Sequence, residues 1–164
     1  MDEAKSSRSG RCVCGACAYE VPLEPLTIFH CHCRFCQRST GGPAFVEWIF
    51  RDKDFRLKSG DIKTYTHISE GSGKELTIHA CARCLTKLYL RTARFPGFTV
   101  VYALTIDDDD QRPSPKAQPY YLFTDFAAPG TVIPSGVATF PEHRFALDGS
   151  ENTPVIFDTP YTIP

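Results

Sequence analysis

Short runs rich in β-branched and aromatic residues, cut at regular intervals by turn formers, make up most of this chain. The pattern predicts strands over residues 16–21, 27–31, 44–50, 55–58, 62–68, 75–79, 87–91 and 98–106. Alternation is plainest through Thr64, Tyr65, Thr66, His67 and Ile68, the period of a strand with two unlike faces. Only residues 33–40 suit a helix, a short one that closes on Gly41, Gly42 and Pro43. Glycine and serine at residues 70–74 mark a hairpin tip, and prolines and glycines from Pro129 onward predict an irregular tail anchored by Val132, Phe140, Phe145 and Phe157. The expected fold class is all-β with one short helical turn.

Length and charge narrow the functional classes. At 164 residues no second domain is expected. With 18 basic against 19 acidic residues the formal net charge is −1, so no bulk field draws the chain to nucleic acid or an anionic membrane. Residues 1–11 hold no apolar stretch of the kind a secretory signal or membrane anchor needs, which makes the reducing cytoplasm the expected location. The acidic run inside residues 107–115 has neither the glycine nor the distal glutamate of a calcium loop and is expected to be a solvated loop.

The candidate chemistry is in the cysteines. CxCxxC occurs twice, at Cys12, Cys14, Cys17 and at Cys31, Cys33, Cys36, and a CxxC follows at Cys81 and Cys84. Disulfides across one- and two-residue gaps would close strained rings, whereas tight turns at this spacing aim several thiolates at one ion. Zinc is the expected metal. Eight sulfurs allow two closed four-thiolate sites, or one closed site and one with three protein ligands, and spacing alone does not choose.

The run from Arg11 to Val21 (RCVCGACAYEV), the run from Cys31 to Arg38 (CHCRFCQR) with Ser39 and Gly41-Gly42 behind it, and Cys81-Ala82-Arg83-Cys84 together resemble the glutathione-dependent formaldehyde-activating enzyme family, the Gfa and CENP-V-like proteins. The resemblance covers about residues 10–110 and implies an Mss4-like fold, a small zinc-bound arrangement of stacked β-sheets, with residues 10–128 as the family domain and 129–164 as an irregular extension packed on it. It also implies two zinc ions: a structural one on Cys12, Cys14, Cys81 and Cys84, and a labile one on Cys31, Cys33 and Cys36 with a vacancy. Three positions depart from the family pattern. Leu85 replaces the usual glycine after the late CxxC, Ala80 replaces an aromatic before it, and Cys17 stands where a small or aliphatic residue is usual.

The activity implied is that of a carbon-sulfur lyase joining glutathione, or another thiol, to a small electrophile such as formaldehyde. Catalytic candidates are Cys31, Cys33, Cys36, Arg34 and Arg38, the arginines offsetting thiolate charge or holding a substrate carboxylate. His32 is expected to point outward, or to donate to a sulfur or to the tripeptide, while His30 and His79 are expected in the core or behind the ligands. Phe35, Phe45, Trp48 and Phe50 suit either strand packing or a pocket wall. The competing expectation is a non-catalytic, zinc-stabilised module that binds a protein partner. A redox enzyme like the methionine sulfoxide reductases would need a free reactive thiol, for which Cys17 is the candidate.

Overall fold

The computed structural model describes residues 7–107 and 117–164. Among them are thirteen strands and one α-helix, so the all-β expectation is met. In chain order the elements are β1 (Ser7–Arg11), β2 (Ala18–Pro22), β3 (Thr27–Cys31), α1 (Arg34–Thr40), β4 (Phe45–Arg51), β5 (Arg56–Ser59), β6 (Ile62–Ile68), β7 (Glu75–Cys81), β8 (Lys87–Thr92), β9 (Phe98–Tyr102), β10 (Pro119–Leu122), β11 (Val132–Ile133), β12 (Thr139–Phe140) and β13 (Tyr161–Thr162). The strand expected at residues 98–106 ends at Tyr102, because Ala103–Thr105 tighten into a 3-10 turn.

The chain divides into two compact units. The first, Met1–Thr27 with Trp48–Ala117, contains a three-stranded sheet in the order β1-β2-β5 and the antiparallel series β9-β8-β7-β6. Its core is aromatic. Tyr19, fully buried, stacks on Phe55 with centroids 5.4 Å apart, Phe55 meets Tyr89 at 4.4 Å, and Tyr89 stacks on His79 at 4.2 Å. The Tyr19 hydroxyl, sealed from water, is satisfied by Thr105 Oγ1 at 2.7 Å. Gly10 on the neighbouring strand must remain glycine, since a Cβ there would run into the Tyr19 ring. In β6 the alternation seen in the sequence does not report burial. Lys63 through Thr66 are exposed on both faces, as suits the last strand of a series, and Thr66 pairs with Thr77 across the hairpin at 3.1 Å.

The second unit comprises Ile28–Glu47 and Gln118–Pro164. Here β10 lies parallel to both β3 and β12, with Leu122 in register with Cys31 and with Phe140. Leu122 also accepts a hydrogen bond from the His32 amide at 2.9 Å, which fixes the chain as it leaves β3 for α1. The tail is less irregular than its composition predicts: β11 pairs with β13, and β12 is held by β10. Of its expected anchors Phe140 is buried, but Val132 is 55% exposed and its neighbour Ile133, at 0%, takes the interior place, the strand period having put the other residue inward. Residues 108–116 of the acidic loop lie outside the described residues.

Candidate metal centre

Two groups of cysteine sulfurs converge among the described residues. The first is Cys12, Cys14, Cys81 and Cys84, all four Sγ atoms within 4.8 Å of one another. Two tight turns deliver them. After β1 the Gly15 amide donates to the Cys12 carbonyl at 3.0 Å, with Gly15 at φ 73°, which turns Cys12 and Cys14 to the same side. After β7 the Leu85 amide donates to the Cys81 carbonyl and the Cys81 amide to the Thr86 carbonyl, both at 2.9 Å. Thr86 Oγ1 joins the two turns, accepting from the Val13 amide at 3.2 Å and lying 3.1 Å from Cys84 Sγ.

Sulfur separations of 3.5 Å (Cys12 to Cys14) and 3.8 Å (Cys14 to Cys81) match the edge of a tetrahedron, which is about 3.8 Å for metal-sulfur bonds of about 2.3 Å. The thiols are also differentiated. The Thr86 hydroxyl and amide pull Cys84 down to about 5, and the Cys84 and Arg83 amides help hold Cys81 below its ordinary value against desolvation. The Ala16 amide acts to lower Cys14, yet desolvation and the neighbouring thiols outweigh it and leave Cys14 raised to about 11.

Cys17 belongs beside this first group. Its amide donates to Cys12 Sγ at 3.2 Å and its thiol to the Asp61 carbonyl at 3.3 Å. It is fully buried, and desolvation together with Cys81 pushes its thiol up to about 12. That is the setting of an inert thiol rather than a redox nucleophile.

The second group is Cys31, Cys33 and Cys36, again within 4.8 Å of one another. Cys31 ends β3, Cys33 caps α1 by accepting the Cys36 amide at 3.4 Å, and Cys36 sits one turn into the helix. The helix stops at Gly41, whose φ of 72° lets its amide return to the Gln37 carbonyl at 2.8 Å. Gln37 fixes the turn from the other side, its Nε2 donating to the His32 carbonyl at 2.9 Å and to the Phe126 carbonyl at 2.8 Å. Cys31 and Cys36 are buried and Cys33 is partly exposed. Hydrogen bonds from Cys31 and Cys36, with the Cys36 and Phe35 amides, draw Cys33 down to about 3; in turn Cys33 pushes Cys31, and Cys31 pushes Cys36, well above the ordinary thiol value. The first thiolate of the set therefore resides on Cys33.

A residue not singled out from the sequence stands beside this group, its carboxylate not within 4.8 Å of all three sulfurs. Glu47, on β4, has Oε1 3.5 Å from Cys36 Sγ and contacts Cys31 as well. Desolvation first, then the negative charge of Cys33, pushes its carboxyl up to about 8. The signal in the sequence is a lone acid in the run Phe45-Val46-Glu47-Trp48-Ile49-Phe50.

Arg34 and Arg38 are exposed on α1. Arg34 Nη1 donates to Gln37 Oε1 at 2.8 Å, and among the described residues neither arginine bonds to the three cysteines or to Glu47. His32 does not point outward. It is 3% exposed, its Nδ1 lies 3.3 Å from the Pro43 carbonyl, and its Nε2 is buried without a partner. His30 stacks on Tyr121 at 4.7 Å and His79 on Tyr89, both in packing roles. Phe45, Trp48 and Phe50 are buried in the core.

No helix among the described residues is long and apolar enough to cross a membrane. A protein of Halomonas elongata named "Putative glutathione-dependent formaldehyde-activating enzyme" is 30% identical over 109 residues, 63% of this chain and 68% of that protein. In fold, the chain resembles the crystal structure of a Rhodobacter sphaeroides protein, with a TM-score of 0.51, 20% identity, and coverage of 69% of this chain and 98% of the other. Residues 7–122, which carry both cysteine groups, match the family model described as glutathione-dependent formaldehyde-activating enzyme, and on that match the chain belongs to that family.

Proposed function

We propose that the protein is a zinc-dependent carbon-sulfur lyase acting on the adduct of glutathione, or a closely related thiol, with formaldehyde. The observation that carries this reading is the inequality of the two sulfur groups: four sulfurs in one, three in the other. Four thiolates saturate a tetrahedral ion and serve the fold, while three leave a position for a further ligand. Zinc bound at the second group would supply a soft Lewis acid that keeps a coordinated sulfur ionised at neutral pH.

The remaining work falls to this chain's own residues. Cys31, Cys33 and Cys36 would hold the ion, and Cys33 is the partly exposed one of the three. Arg34, next to Cys33 in the chain, and Arg38, further along α1, are both exposed and bind carboxylates of the tripeptide, for which Arg34 first releases Gln37. In the reaction the thiol sulfur's electron pair attacks the carbonyl carbon of formaldehyde, a carbon-sulfur bond forms, and the thiol proton ends on the former carbonyl oxygen. Orientation is the main contribution of such a site, because both reactants are small and otherwise meet by chance.

In this reading residues 10–128 are the family domain and 129–164 an extension of it. The eight cysteines, free of disulfides, agree with a reducing cytoplasmic location. The test is exchange spectroscopy on carbon-13-labelled formaldehyde with glutathione. The protein is expected to accelerate interconversion of free and adduct forms, and Cys33→Ser to remove the acceleration while leaving the fold intact by circular dichroism. Exchange no faster than in buffer would leave a binding module as the better reading.

A further inference from the structure

We infer that Glu47 is a fourth protein ligand of the metal held by Cys31, Cys33 and Cys36, so that the resting site carries three sulfurs and one carboxylate oxygen. The inference rests on the metal reading given above and goes beyond it, because it replaces the vacancy with a named residue.

Geometry supplies the first argument. For a tetrahedral zinc with bonds of about 2.3 Å to sulfur and about 2.0–2.2 Å to a carboxylate oxygen, the sulfur-oxygen edge is about 3.5–3.7 Å. Glu47 Oε1 stands 3.5 Å from Cys36 Sγ, and the carboxylate interacts with Cys31 as well, though it is not within 4.8 Å of all three sulfurs. It reaches the group from the Cys31 and Cys36 side and acts on Cys33 through charge alone. Closing onto an ion therefore asks for rotation about the outer side-chain bonds of a flexible residue, with β4 in place.

Charge balance supplies the second. Among the described residues no lysine, arginine or histidine pairs with Glu47, although it lies against two buried thiols. Ionising Glu47 together with all three thiols would be unfavourable without a cation, since Glu47 is half-buried and Cys31 and Cys36 are buried. A dication at the centre of the four groups resolves the conflict. Hydrogen bonding of the Cys36 thiol to Glu47 is then the arrangement of the metal-free chain, and coordination that of the loaded one.

The consequence is a site that is closed at rest by its weakest arm. An oxygen ligand on a thiolate-rich ion is more easily displaced by an incoming sulfur than any of the three cysteines would be. Glu47 would thus set the threshold for entry of the thiol.

The experiment uses the full chain with zinc at the first cysteine group and cobalt(II) loaded at the second, the assignment checked by loss of the cobalt signal in Cys33→Ser. Cobalt affinity is read by competition with a chelator, and coordination by X-ray absorption at the cobalt edge. Wild type is expected to fit three sulfurs and one oxygen, and Glu47→Gln to lose affinity about tenfold to 100-fold, the range for weakened metal-site interactions, with a thermal melt unchanged when recorded before cobalt is added. Glu47→Asp keeps the charge but shortens the reach; a comparable loss supports ligation over a purely electrostatic role. Affinities within twofold of wild type in both variants overturn the ligand assignment and leave the three-cysteine metal site standing. Failure of wild type to bind cobalt in a Cys33-dependent manner overturns the metal reading and this inference together.

Discussion

The Leu85 amide donates to the Cys81 carbonyl at 2.9 Å while Leu85 itself sits at φ 61°, in the left-handed region. The turn that presents Cys81 and Cys84 is therefore made by a residue poorly suited to it. A side chain in this region costs about 1–2 kcal/mol, and a glycine there would lose about 0.5–1 kcal/mol of that gain to its freer unfolded chain. Because Leu85 is 61% exposed, little burial is at stake. Leu85→Gly is expected to raise the stability of the metal-loaded protein by up to about 1.5 kcal/mol, measured as a higher urea midpoint at constant slope. A lower midpoint would show that the leucine makes a compensating contact.

Cys17 is expected to be silent. Buried against Cys12 and Cys81 and raised to about 12, it has almost no thiolate at pH 8. Its seat is tight as well, since a Cβ on Gly60 would run into Cys17 Sγ and the Ala16 carbonyl. In the metal-loaded native protein an alkylating reagent should leave Cys17 unmodified at pH 8, as read by peptide mass mapping, and modify it only after denaturation. Native-state alkylation at Cys17 would return the redox reading to contention.

Metal affinity at the second group should climb with pH. Binding needs all three thiols ionised; Cys33, at about 3, has already lost its proton, while Cys31 and Cys36 are held well above the ordinary value. These two give up protons on binding, so affinity rises with pH by up to about 100-fold per unit from the thiols alone, and metal-derived stability is correspondingly lost as pH falls. Chelator competition at pH 6.5, 7.5 and 8.5 measures the slope. A flat profile would mean that the thiols are ionised before the metal arrives.

Arg34 and Arg38 are assigned to the substrate and not to the sulfurs, as their exposure on α1 suggests. Replacing either by alanine is expected to raise KM for glutathione about tenfold with kcat little changed, the pattern of lost ground-state binding. Equal KM values in wild type and both variants would remove the arginines from the site.

The sequence was informative where residue type and backbone geometry agree. Strands 27–31 and 62–68 have the bounds expected for them, and the short helix starts one residue later than predicted, at Arg34. Strand β1 was missed because Ser7–Arg11 has no apolar alternation and is ordered by its register with β2. Strand β10 was missed for a related reason: Pro119–Leu122 is short, and its partner β3 lies far earlier in the chain. At the site, spacing identified the cysteines but not Glu47: the lone acid in β4 stands out locally, but only tertiary packing brings it to Cys36. Cys17 was ambiguous for the opposite reason. Its CxCxxC spacing equals that of Cys36 and both thiols are buried, yet its turn leads into a strand whereas that of Cys36 leads into a helix.

The division of labour between the two sulfur groups is tested most directly by titrating the zinc-loaded protein with a chelator at neutral pH while recording released zinc and far-ultraviolet circular dichroism together. One equivalent is expected to leave with the spectrum intact, from Cys31, Cys33 and Cys36, and a second to leave only as the β signal collapses, from Cys12, Cys14, Cys81 and Cys84. Release of both equivalents in one step with unfolding, or a protein that never holds more than one, would contradict it.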